Sequence, residues 1–137
     1  MPHILPFRGI MYNVPDVHLD DVVCPPYDII SPELQNNLYE RNTYNFVKLD
    51  FACEENRYAI ANERYTQWKR EGVFVQEEQP TLYLLEQEFK IGNQTHIRRG
   101  LLALCRLEEL TETSSVRRHE KTLTKPKEDR LNLLSVT

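Results

Sequence analysis

Gly92-Asn93 stands between two apolar-rich segments, and this arrangement constrains the fold more than any other feature of the chain. In residues 81–91, Tyr83, Leu85, Phe89 and Ile91 fall on one face, and residues 95–107 read as a return strand. A two-residue loop with Gly-Asn chemistry brings the chain back alongside itself as a β-hairpin. The same register sets Glu86 across from Arg99, an exposed ion pair worth under about 1 kcal/mol and read as structural.

Helical patterns flank the hairpin. Residues 55–71 carry Tyr58, Ala61, Tyr65 and Trp68 at three- and four-residue steps and stop at Gly72, a natural C′ residue. An aromatic stripe at this spacing reads as core. Ser31-Pro32-Glu33 has the order N-cap, N1 proline, first-turn acid, predicting a helix to about Arg41 with Leu34 and Leu38 on its apolar stripe. After Asn42, residues 44–51 read as a strand with Val47, Leu49 and Phe51 on one face. Five of the eight prolines lie in residues 1–30. They predict a largely extended start, in which residues 22–24 form at most a strand end or edge. A last helix is expected from Pro126, with Lys125 biased away from helical geometry by the proline that follows it. Leu131, Leu133 and Leu134 weight that helix, which is too short to be stable alone. The expected fold is mixed α/β (α+β): a mixed sheet containing the hairpin, with two to three helices.

A chain of 137 residues fits one domain and can bury a core. It has no apolar run long enough for a membrane span and no secretory leader pattern. Cys24, Cys53 and Cys105 lack CxxC spacing and read as reduced thiols of a cytoplasmic protein. A formal net charge of −4 argues against nucleic acid as a partner. The P-loop, dinucleotide and GxSxG patterns are absent. His119-Glu120 lacks the second histidine of HExxH, because position 123 is Leu, so no metal site is expected.

Charge is concentrated in residues 117–130, which hold six Lys/Arg against three Asp/Glu and leave eleven against eighteen elsewhere. The segment runs into a helix start, where backbone N–H groups favour anions. Arg118, Lys121, Lys125, Lys127 and Arg130 can contact phosphate, and Thr122 and Thr124 add hydroxyls. His119 and Glu120 are acid/base candidates. The bland reading is a solvated charged loop, with Glu128 and Asp129 complementing the helix dipole. In the second constellation, Pro25 and Pro26 fix a turn from which Tyr27 and Asp28 project. Asp28 is a candidate base there, or else a residue of a plain strand-to-helix corner.

Several blocks together resemble the start of the family called domain of unknown function 1015. They are Pro6-Phe7-Arg8-Gly9, the run from Val22 through Cys24-Pro25-Pro26-Tyr27-Asp28 to Pro32, and Trp68-Lys69-Arg70-Glu71-Gly72. Arg99-Gly100, His119-Glu120-Lys121-Thr122 and Lys127-Glu128-Asp129-Arg130-Leu131 complete the set. Cys24 departs from the small residue expected at its position. That family is similar to the ParB-like group, which includes nucleotide switches and free serine kinases. The resemblance implies a small-molecule phosphotransferase that uses ATP or ADP with magnesium. It also implies that this chain is the N-terminal portion of a longer protein, inactive without its remainder. The group's Asp-Gly-His-His-Arg turn does not occur here, so only residues 119–130 and the Pro25 to Asp28 turn carry over as site candidates. The alternative is a non-catalytic interaction domain whose basic segment docks an acidic partner.

Overall fold

A computed structural model describes residues 1–13, 17–117 and 124–137, with the side chain of Lys125 excepted. The chain divides into two compact units. One comprises Met1–Ile10 with the described residues of Gln76–Glu120, the other Met11–Val75 with those of Lys121–Thr137. The class is mixed α+β. Among the described residues the strands form three two-stranded sheets, in place of the single mixed sheet expected. Five α-helices accompany them among the described residues, two of them single turns of four residues, where two to three were expected. None of those helices is long and apolar enough to cross a membrane.

In the first unit, β1 (Ile4–Leu5) reaches β6 (Leu104–Cys105) antiparallel, with Ile4 opposite Cys105. Strands β4 (Tyr83–Ile91) and β5 (Gln94–Leu102) make the hairpin around Gly92, whose φ of 60° is the left-handed value such a turn needs. Glu86 pairs with Arg99 in register, and their side chains meet at 2.8 Å. Phe89 stacks on His96, its cross-strand partner. The face that carries Leu85, Phe89 and Ile91 is largely open, and these residues are 45%, 43% and 63% exposed. A two-stranded sheet has no second layer to cover it. Tyr83 turns toward the chain start instead, where its hydroxyl accepts the Gly9 N–H at 2.8 Å.

The second unit holds the core. Leu49, Trp68, Val73 and Phe74 form one cluster, and Ile30, Leu38 and Val47 another. Helix α2 (Pro32–Arg41) starts as expected, with Ser31 Oγ accepting the Leu34 N–H at 3.2 Å. Helix α4 (Arg57–Arg70) buries Ala61 and Trp68 on its aromatic stripe, and Gly72 at φ 75° ends the turn after it. Strands β2 (Ile10–Tyr12) and β3 (Phe74–Gln76) pair with each other.

One strand expectation is corrected: residues 44–51 contain the helical turn α3 (Val47–Asp50). Residues 22–24, expected at most as a strand end or edge, are in no strand; Val22 ends the helical turn α1 (Leu19–Val22), and Val23 and Cys24 follow it. Asn45, fully buried, is the physical reason for both. Its Oδ1 accepts the Val47 N–H at 3.1 Å, starting α3, while its Nδ2 donates to the carbonyls of Asp21 and Val23. Carbonyls held by a side-chain amide are not free to join a sheet ladder. The final helix, α5 (Thr124–Leu134), begins two residues before the expected Pro126, so Lys125 is helical. Pro126 falls within the first turn, where its missing N–H costs no intrahelical bond. Leu131 and Leu134 on α5 are 65% and 74% exposed.

Candidate functional site

Pro25 and Pro26 enter a 3-10 turn, Tyr27–Ile29, closed by the Ile29 N–H on the Pro26 carbonyl at 3.1 Å. Proline at both entry positions leaves the turn little freedom, so Tyr27 and Asp28 leave it in fixed directions. The Tyr27 ring is half-buried, 6.0 Å from that of Phe51. Asp28 is exposed, with no partner among the described residues.

The loop after α3 presents Phe51, and the first residue of α4 presents Arg57, to the same place. Gln35 donates to the Phe51 carbonyl at 2.6 Å. The Tyr39 hydroxyl accepts the Cys53 N–H and donates to Glu54 at 3.0 Å, and Arg64 closes this clamp on Glu54 and on the Lys48 carbonyl.

Helix α5 supplies the opposite wall. Asp129 Oδ1 accepts from Arg57 Nη2 and from the Tyr58 hydroxyl, the latter at 2.9 Å, while Oδ2 accepts from Arg130. Arg130 donates in turn to the Asp50 carboxylate and, at 3.0 Å, to the Asp50 carbonyl. Burial works against ionisation of Asp129, but hydrogen bonds from Arg130 and Tyr58 and the charges of Arg130 and Arg57 outweigh it. The carboxyl is therefore held below its ordinary pKa. The result is a continuous ladder, Asp50–Arg130–Asp129–Arg57, joining α3, α5 and α4.

Between these walls lies a cleft of ≈ 610 Å³. Tyr27, Ile30, Phe51, Tyr58 and Pro126 give it apolar surface, and Asp28, Arg57, Glu128, Asp129 and Asn132 line it with polar groups. Three carboxylates face one guanidinium, so this lining is not by itself an attractor of bare anions. Among the described residues no group of three or more His, Cys, Asp or Glu is arranged to hold a metal. Nearby, the half-buried Cys24 thiol is pushed up to about 11 by burial and by the charge of Asp50, which keeps it protonated near neutral pH.

The structure thus unites Tyr27 and Asp28 with the turn of α5 that carries residues 128–130, about a hundred residues away in sequence. Arg130 lies beneath Tyr27 with its donors on Asp50 and Asp129. Lys127 is exposed on α5 and is not part of the lining. The backbone of Lys125 is helical. Arg118, His119, Glu120, Lys121 and Thr122 lie outside the described residues. Sequence reasoning missed Arg57, Phe51, Asn132 and the bridging role of Asp129. Tyr58 was visible only as part of a core stripe, because helical periodicity does not show what a stripe packs against.

The profile of the family described as Protein of unknown function (DUF1015) matches residues 4–137, and the chain belongs to this family. No curated protein and no solved structure matches the chain.

Proposed function

We propose that this DUF1015 member binds a phosphorylated small molecule or nucleotide at the cleft, as part of a phosphotransferase akin to the ParB and serine kinase-like group. The observation that carries this reading is the meeting of the Tyr27–Ile29 turn with the start of α5 around one cavity. Asp28, with no partner among the described residues, is a carboxylate on a proline-bounded turn, suited to accept a proton from a substrate hydroxyl. That hydroxyl oxygen attacks the terminal phosphorus, the bond from phosphorus to the bridging oxygen breaks, and the nucleotide leaves with one phosphoryl group fewer. Arg118, Lys121, Thr122 and Lys125 are the phosphate-contacting candidates, with His119 and Glu120 as further acid/base candidates, while Lys127, outside the cleft lining, adds only nearby charge. Arg130 acts as the brace beneath Tyr27. Asp28 and Glu128 are hard oxygen donors, which suits a magnesium ion carried in mainly by the phosphates and neutralising their charge.

Titration with ATP, ADP and CTP in magnesium tests the reading. Saturable binding is expected, with no turnover of a hydroxylated acceptor by this chain alone. A folded protein that binds none of the three nucleotides sinks it. The exposed apolar side chains of the hairpin favour a second reading, a non-catalytic domain that docks a partner. That reading gains if nucleotide binding is absent.

A further inference from the structure

Two arginines meet at Asp129, and they are not equivalent. Arg130 is nearly saturated, with four of its five N–H groups in use: Nε and Nη2 donate to Asp129, Nη1 and Nη2 to Asp50, and the guanidinium carbon lies over the Tyr27 ring. Arg57 is not. Its Nη2 donates to Asp129 and to the Tyr58 hydroxyl at 2.7 Å, while Nε and Nη1 have no partner among the described residues. Its side chain is 31% exposed, against 11% for Asp129, and it lines the cleft. The guanidinium carbon sits 4.7 Å from the Tyr58 ring centroid and 5.8 Å from that of Phe51.

Anchored at one nitrogen and packed against two rings, such a fork has already lost most of its rotational freedom. An incoming ligand therefore pays little to order it. It is also the only cation among the residues lining the described cleft.

We infer that Arg57 is the residue of this cleft that grips a phosphoryl oxyanion, and that Asp129 is the positioning residue that holds the fork ready. This inference rests on the cleft being a phosphate site. Asp28 and Glu128 disfavour a bare polyanion there, so the ligand class is a phosphoryl group accompanied by a divalent cation.

Isothermal titration with ATP and with inorganic pyrophosphate, each in magnesium, tests it on the wild type, Arg57→Lys and Arg57→Ala. Lysine keeps the charge and loses the fork, so Arg57→Lys binds at least about tenfold more weakly while still unfolding cooperatively. A matching loss with pyrophosphate supports the contact with the phosphoryl group, and a loss seen only with ATP overturns it in favour of another part of the nucleotide. Arg57→Ala leaves Asp129 short of a partner and is prone to unfold, so the lysine variant carries the decision. Asp129→Asn weakens binding in the wild type but costs no further affinity in an Arg57→Lys background, a coupling that a purely architectural Asp129 does not produce. If wild type and Arg57→Lys bind equally well, the assignment to Arg57 is overturned while the phosphate reading stands. If the wild type binds neither probe, the phosphate reading itself fails.

Discussion

The guanidinium carbon of Arg130 lies 3.9 Å from the centre of the Tyr27 ring. This contact fastens the proline-bounded turn to the last helix, and ion pairs with Asp50 and Asp129 hold the guanidinium over the ring. Arg130→Lys keeps a positive charge but loses the flat face and the fork. It is expected to destabilise the protein by about 1–3 kcal/mol, read from urea unfolding. Tyr27→Leu should lower stability less. If Arg130→Lys unfolds with the wild-type midpoint, the stack and fork contribute nothing.

Asp129 sets an acid dependence. Its folded pKa lies below the unfolded value of about 3.9, so the stability it contributes is complete above that value. This contribution is lost as pH falls through the folded pKa. Asp129→Asn should be less stable than wild type at pH 7. The gap should narrow steadily below about pH 4, where the wild-type carboxyl takes up its proton. A gap of constant size from pH 7 to pH 2 contradicts the ladder.

Gly9 is required by a close approach. A Cβ at this position would stand 2.5 Å from the Tyr83 hydroxyl oxygen and 2.8 Å from the ring carbon that bears it. Gly9→Ala should cost about 1–3 kcal/mol. Tyr83→Phe removes the oxygen, so the alanine should cost less in that background, a coupling that a double-mutant cycle measures directly. Additive effects would show that the two residues do not touch.

Asn45 is fully buried and serves three backbone groups, in α1, in the extended link after it, and in α3. Asn45→Ala strands the Val47 N–H and the two carbonyls. A loss of about 2–4 kcal/mol is expected, because each unsatisfied buried group carries its own desolvation cost. Asn45→Asp should rescue little, since a carboxylate cannot donate to the carbonyls of Asp21 and Val23.

Local chemistry made much of this protein legible in its residues. The order Ser31-Pro32 marks the start of α2, Gly72 the end of α4, and Gly92-Asn93 the hairpin with Glu86 against Arg99. Each follows from backbone or side-chain preferences acting over a few residues. The same local view misread residues 44–51 as a strand, because the alternation there resembles a half-buried strand. The deciding residue, Asn45, also ties this turn to carbonyls 22 and 24 residues earlier. At the cleft, sequence alone flagged Tyr27, Asp28 and Arg130, yet it could not show that the turn and α5 meet. Nor could it distinguish a nearly saturated Arg130 from an open Arg57, since the number of donors an arginine has left depends on which carboxylates the fold brings beside it. Such pairings span up to eighty residues, from Asp50 to Arg130. They are decided by packing in three dimensions, to which neither periodicity nor charge counting has access.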